Sequence, residues 1–296
     1  MRGEGLRELE YEGLSCMFEI KKKIKLNNTV TRMDIYAPLI AKKAQPGQFL
    51  ILRAEEDGER IPLTFADYDR GAGTVSVIFQ IVGATTMKLN ELPAGGFIPD
   101  LVGPLGTPTK LDGLKKVCVI GGGVGCAIAL PVAKALFESG AEVTSIVGFR
   151  NRELVILEDE FKACSDRFIL MTDDGSAGDA GNVTAPLKAL LESGERFDEV
   201  IAIGPLVMMK FVSLLTKEYD QKTTVSMNPI MVDGTGMCGG CRLTVGGEMK
   251  FACVDGPDFD GHLVDFDEAM SRAASYRAFE RRAFDAHCNL MKKEAE

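Results

Sequence analysis

The sequence has too little of several things to belong to several classes of protein. Only two histidines, His262 and His287, occur among 296 residues. No Ser-His-Asp or paired-carboxylate constellation accompanies them, so neither is given a catalytic role. No apolar run approaches the eighteen or so residues that cross a bilayer, and the opening MRGEGLRELEYEG lacks the apolar centre of a signal peptide. A soluble, cytoplasmic protein with no membrane partner is expected. Basic side chains are outnumbered and spread out: 34 Lys and Arg against 43 Asp and Glu leave a formal net charge of -9. That argues against a nucleic-acid partner, because phosphate binding needs concentrated cations. Cys16, Cys118, Cys126, Cys164 and Cys288 are scattered without the spacing of a disulfide framework, so free thiols in a reducing compartment are expected. Cys118 sits inside an apolar run and reads as core.

What is present divides the chain into three. With 46% hydrophobic residues, two domains of ordinary size and an appendage can fill their cores. Residues 1–110 carry short runs of period-two or β-branched character, MFEIKKKIKL, NTVTRMDIYA, QFLILRA, RIPLTFA and TVSVIFQIV, punctuated by Gly, Pro and Asp. They predict an antiparallel β barrel with one helix over Ala84 to Leu92. Residues 111–229 alternate strand and helix patterns, beginning with KKVCVIGGGVG and a helix of about fifteen residues. They predict a doubly wound α/β domain with a parallel sheet of five strands or so. Residues 230–296 hold a cysteine stretch and a tail whose last thirty residues lack Gly and Pro, expected to be largely helical.

Chemistry concentrates in that cysteine stretch, DGTGMCGGCRLTVGGEMKFAC. Cys238 and Cys241 are separated by two residues, Cys253 follows after eleven more, and Asp233 stands where a C-x4-C-x2-C iron-sulfur pattern has its first cysteine. Gly234, Gly236, Gly239 and Gly240 suit a loop that brings backbone amides close to sulfur. The alternative is a structural zinc knuckle, with His262 completing the set. Elsewhere, Gly121, Gly122, Gly123, Val124 and Gly125 form a strand-to-helix turn open to a diphosphate or serving only as a tight turn. Asp173 and Asp174 in TDDG, and Gly204-Pro205, follow two further strands, where ligands of open sheets bind. Arg150 and Arg152 lie just past the second strand, where the ribose of a bound dinucleotide would sit, as partners of a 2′-phosphate or as surface charges. In the barrel half, Arg60 and Thr64 offer a guanidinium and a hydroxyl to a phosphate or ring edge. Gly83, Thr85 and Thr86 open the predicted helix, as a phosphate site or as caps alone.

R-x-P-L-T in a barrel, G-A-T-T before a helix, GGGVG opening a sheet domain and IGP near its end resemble the ferredoxin-NADP reductase superfamily. The cysteine segment and the following VDGPDFDGH narrow the resemblance to electron-transfer subunits of dihydroorotate dehydrogenase. They resemble more closely the small subunits of NADH-dependent reduced ferredoxin:NADP oxidoreductases, in which the motif is likewise D-x4-C-x2-C-x11-C. The likeness runs from about Met17 to the C-terminal helix. It implies FAD on Arg60, Pro62, Leu63, Thr64, Gly83, Thr85 and Thr86. It implies NAD(H), with NADP(H) as the alternative, on Gly121 to Gly125, Asp173, Asp174, Gly204 and Pro205, to which the position of Arg150 adds a further candidate. It implies a 2Fe-2S cluster on Asp233, Cys238, Cys241 and Cys253. The implied partner is a larger subunit carrying a second flavin and 4Fe-4S clusters, through which ferredoxin is reached by electron bifurcation in a heterodimer. Cys126, directly after the glycine run, departs from G-x-G-x-x-G. A rival of another class is a non-enzymatic nucleotide-binding module stabilised by zinc.

Overall fold

The computed structural model describes residues 17–294. The opening segment with Cys16 lies outside the described residues, as do the side chains of His287 and Cys288. The first half runs β1 (Phe18–Lys25), β2 (Val30–Tyr36), the single turn α1 (Pro38–Ala41), β3 (Phe49–Arg53), β4 (Ile61–Asp69) and β5 (Thr74–Gln80). It continues with α2 (Ala84–Glu91), β6 (Phe97–Ile98) and β7 (Asp100–Leu105). The strands form one sheet in the order β6-β1-β2-β5-β4-β3-β7, every pair antiparallel. Pro99 alone separates the two edge strands, so a continuous segment nearly closes the sheet into a barrel. The period-two pattern explains the facing: in β2, Met33 and Ile35 are buried while Arg32 and Asp34 pair at 2.8 Å on the other face.

The second half runs β8 (Lys116–Gly122), a 3-10 turn, α3 (Cys126–Glu138), β9 (Glu142–Phe149), α4 (Glu158–Ala163), β10 (Arg167–Thr172) and β11 (Asp179–Ala180). After these come α5 (Thr184–Glu192), β12 (Glu199–Ile203), α6 (Leu206–Glu218) and β13 (Thr223–Ser226). The remaining elements are β14 (Arg242–Val245), β15 (Glu248–Phe251), β16 (Asp258–Asp260), α7 (Phe266–Ala273) and α8 (Arg277–Glu294). The second sheet has the order β11-β10-β9-β8-β12-β13-β16. Its central strands are buried along nearly their whole length, as strands covered on both faces are. β8 and β12 are parallel neighbours, but the strands that follow β8 are added on one side of it and β12 and β13 on the other; the crevice at the carboxyl ends of β8 and β12 is thus the topological switch point where such sheets take ligands.

Three features differ from the sequence-based expectation. The sheet is not wholly parallel: β16 comes from the cysteine segment and runs antiparallel to β13. The stretch expected as a metal loop contains the hairpin β14–β15, turned by Gly246 and Gly247 at φ +60° and +81°, the backbone of a two-residue hairpin turn. The tail is helical in two pieces, α7 and α8, rather than one. Packing joins the parts. Val30, Ala66 and Ile78 of the barrel share one apolar core with α3. Phe49 and Ile51 of β3 share another with Cys241, Leu243, Ala252 and Cys253.

Candidate functional site

A cleft of about 780 Å³ opens at the carboxyl ends of β8 and β12, within the size range of small-ligand sites. Its walls include Gly122 to Gly125, Arg150, Asp173, Gly204 and Pro205, and the barrel adds Thr29, Val30 and Gln80. Close packing explains why this turn is glycine. A Cβ on Gly125 would lie 2.6 Å from the Ile203 carbonyl oxygen, whereas one on Gly123, at φ +55°, would meet open space. The first glycine of the run, Gly121, is tucked against the Cys126 sulfur, which lies 2.8 Å from where its Cβ would be. Cys126 is therefore a buried packing residue at the start of α3, and burial pushes its thiol pKa up. Asp174 is turned away: its carboxylate accepts from the Ser176 hydroxyl and amide, which hold its pKa below the usual range. Arg152 is likewise outside the walls of the cleft, while Arg150 lines it. Sequence reasoning missed Gly181 to Thr184 at the start of α5, and Ser226, the last residue of β13, with Asn228 just past it, all cleft-lining. Their signal was available: both lie at strand ends of the sheet.

At the barrel, Pro62, Leu63 and Thr64 lie in β4 opposite Ile51, Leu50 and Phe49 of β3, and Arg60 stands immediately before them. The start of α2 is brought to the same place, because Thr85 Oγ1 donates to Glu59 Oε2 at 2.5 Å. Thr86 Oγ1 accepts from the Val82 and Gly83 amides at 3.0 Å and donates to the Gly83 carbonyl at 2.9 Å. It thus takes the capping role, and the space in front of Gly83 is open. A helix start with open space before it, beside a guanidinium, is chemistry that fits a phosphate-bearing cofactor.

In the cysteine segment, Cys241 Sγ donates to Cys253 Sγ at 3.3 Å, both side chains being buried. Two sulfurs held about 2.3 Å from one tetrahedral ion lie about 3.8 Å apart, so this pair needs to open by only about half an ångström. Burial first, then the neighbouring Cys241, pushes the Cys253 thiol pKa up. Cys238 is exposed and differs: the Gly240 amide donates to its sulfur at 3.4 Å. That amide first, then those of Asp233 and Val232, draw its pKa below the usual thiol range. Backbone amides aimed at sulfur are what a thiolate ligand requires. Asp233 Oδ2 accepts from the Thr235 hydroxyl at 2.6 Å, the Thr235 amide at 2.9 Å and the Met237 amide at 3.2 Å. These hold its carboxyl pKa down in that order, with the charge of Arg60 adding least. Asp233 accordingly shapes the loop whether or not it also binds metal. Among the described residues no three His, Cys, Asp or Glu side chains converge closely enough to hold an ion. His262 is not grouped with the cysteines; its Nε2 is 3.0 Å from Thr216 Oγ1 on α6, so the zinc alternative has no fourth ligand there. The donor chemistry of three thiols and a carboxylate on a glycine-rich loop fits an iron-sulfur group.

Comparison with known proteins agrees with this geometry. A family model, the iron-sulfur cluster binding domain of dihydroorotate dehydrogenase B, matches residues 228–265. The chain is 46% identical over 273 residues to a dihydroorotate dehydrogenase B (NAD(+)) electron transfer subunit homolog of Thermotoga maritima, covering 92% of this chain and 96% of that one. A probable electron transfer subunit of the same enzyme from Methanocaldococcus jannaschii is 36% identical, with 75% and 81% covered. Among solved structures, a chain of the NADH-dependent reduced ferredoxin-NADP oxidoreductase, a flavin-based electron-bifurcating enzyme, superimposes with a TM-score of 0.86. That pair is 44% identical, with 97% of this chain and 99% of that one covered.

Proposed function

The chain belongs to the family of dihydroorotate dehydrogenase B electron-transfer subunits and their homologues, of ferredoxin-NADP reductase type, and we propose that it is the flavin and 2Fe-2S subunit of an electron-bifurcating NADH-dependent ferredoxin:NADP oxidoreductase. We divide it into an FAD-binding barrel (1–110), an NAD(P)-binding domain (111–229) and a cluster-binding segment with the C-terminal helices (230–296). Arg60, Pro62, Leu63, Thr64, Gly83, Thr85 and Thr86 hold FAD. Gly121 to Gly125, Arg150, Asp173, Asp174, Gly204 and Pro205 take NAD(H). Asp233, Cys238, Cys241 and Cys253 hold the cluster.

One observation carries this reading: β3 of the barrel packs into the same apolar core as Cys241 and Cys253, while the barrel also walls the cleft through Thr29, Val30 and Gln80. All three sites therefore adjoin one β barrel. The bound groups supply hydride exchange between nicotinamide and flavin, and one-electron exchange between flavin and cluster. The chain supplies placement. The glycine turn lets a diphosphate reach the amides of the 3-10 turn and α3, the open start of α2 offers its amides to the flavin phosphates, and burial shields the sulfurs of Cys241 and Cys253, though not that of Cys238, from water. Val232 and Met237, 53% and 86% exposed, flank Cys238. That apolar rim suits a covering protein surface, which we assign to a larger subunit bearing a second flavin and 4Fe-4S clusters. Among the described residues no helix is long and apolar enough to cross a membrane, and we place the protein in the cytoplasm.

The match to the dihydroorotate dehydrogenase cluster domain favours a second reading, the same machinery serving that dehydrogenase. Anaerobic purification from native source identifies the partner. A copurified flavin and 4Fe-4S subunit supports the first reading, and a copurified dihydroorotate dehydrogenase subunit replaces it with the second.

A further inference from the structure

The cysteine loop is fastened to the barrel by Arg60, the residue immediately before β4. Arg60 donates from Nε to the Val232 carbonyl at 2.9 Å and from Nη1 to Asp100 Oδ2 at 2.9 Å. The same Asp100 oxygen accepts Arg53 Nε at 2.9 Å, and Arg53 Nη1 donates to the Glu56 carbonyl. One carboxylate at the start of β7 thus orients two arginines, and Arg60 is the one that reaches the loop. Val232 directly precedes Asp233, whose Oδ2 is already committed to Thr235 and Met237. The carboxylate is therefore fixed relative to the peptide that Arg60 grips. The next residue lies flush on the barrel: a Cβ on Gly234, at φ +84°, would be 2.5 Å from Ile51 Cδ1 and 2.9 Å from Leu105 Cδ1. A planar guanidinium with donors in fixed directions sets geometry in a way that a flexible ammonium does not. Among the described residues Nη2 has no partner, so the same group can also turn a donor to an anion at the start of β4.

We propose that Arg60 is a positioning residue for the cluster, holding the Val232–Asp233 peptide against the barrel and so setting how the Asp233 carboxylate is presented to the metal. The proposal rests on the reading of Asp233 to Cys253 as a cluster site. It makes one side chain common to the flavin strand and the cluster loop.

Three variants test it in the anaerobically purified holoprotein: Arg60→Lys, which keeps charge and loses the fork; Asp100→Asn, which releases Arg60; and Arg53→Met, which removes the other partner of Asp100 without touching the loop. The readouts are FAD, iron and sulfide content, the EPR g values of the reduced cluster and its midpoint potential. In Arg60→Lys and Asp100→Asn the g values and potential move while iron content stays near that of the parent protein; in Arg53→Met they stay in place. Asp100 is outside the flavin set, so its variant decides the case even where Arg60→Lys also sheds FAD. An unchanged cluster signature in both loop variants overturns the proposal, as does an equal change in Arg53→Met. A parent protein with no cluster fails differently, by removing the cluster reading itself.

Discussion

The glycine turn after β8 and the glycine-rich cysteine loop use the same residue for opposite ends. In the turn, glycine permits close packing: Gly125 lies against the end of β12, and residues of the barrel and of the second sheet together wall the cleft. In the cysteine loop, glycine permits packing on the barrel at Gly234, but the sulfurs themselves are divided. Cys241 and Cys253 are buried together, and Cys238 is at the surface. A sheet edge can preform a site from backbone alone, whereas a metal site reaches its final geometry with the metal, so binding and local ordering are one process.

The largest expected break in this comparison is on the metal side. Cys241→Ser or Cys253→Ser should abolish the cluster, taking iron and sulfide per chain to near zero, while NADH affinity of the purified variant stays within about twofold. Asp233→Ala should weaken or lose the cluster and Asp233→Cys should retain one with a changed potential. Full occupancy with an unchanged EPR spectrum in the alanine variant would remove Asp233 from the ligand set. On the nucleotide side, Gly125→Ala forces a methyl against the Ile203 carbonyl. Overpacking of this kind costs about 1–3 kcal/mol, so NADH affinity should fall by roughly tenfold with the cluster spectrum intact. Calorimetry showing parental affinity would mean the turn is looser than its contacts imply.

The smallest effect concerns the seam between the two regions. Asp258 on β16 accepts from Thr109 Oγ1 at 2.5 Å, and its buried Oδ1 has no partner among the described residues. Burial raises its pKa above 3.8, with hydrogen bonds from Thr109 and Ser226 opposing and the charge of Glu199 adding to the rise. A carboxyl whose folded pKa is raised is stabilising below its unfolded pKa, and that contribution is lost as pH rises through the folded one. Asp258→Asn should therefore flatten the decline in melting temperature from acid to neutral pH. A decline as steep as in the parent protein would show that Asp258 ionises without cost.

Most of the regular structure was legible in the residues, because its signals are local. The helix expected over Ala84 to Leu92 is α2, Ala84–Glu91, and the apolar run with GGGVG became β8, its turn and α3. What escaped was made by distant partners. The β16 strand, DFD, carries no strand signature and exists because β13 offers it an edge. The β14–β15 hairpin lies inside the stretch expected as a metal loop, and its turn pair Gly246-Gly247, a turn signal, is not among the glycines given a role there. The grip of Arg60 on Val232, across 172 positions of sequence, has no local trace.

The most direct test is a combined iron, sulfide, zinc and flavin analysis of anaerobically purified protein, with its absorption spectrum before and after NADH. The account predicts about two irons and two sulfides with one FAD per chain, and bleaching of flavin and cluster by NADH. A colourless protein with one zinc and no flavin would contradict it.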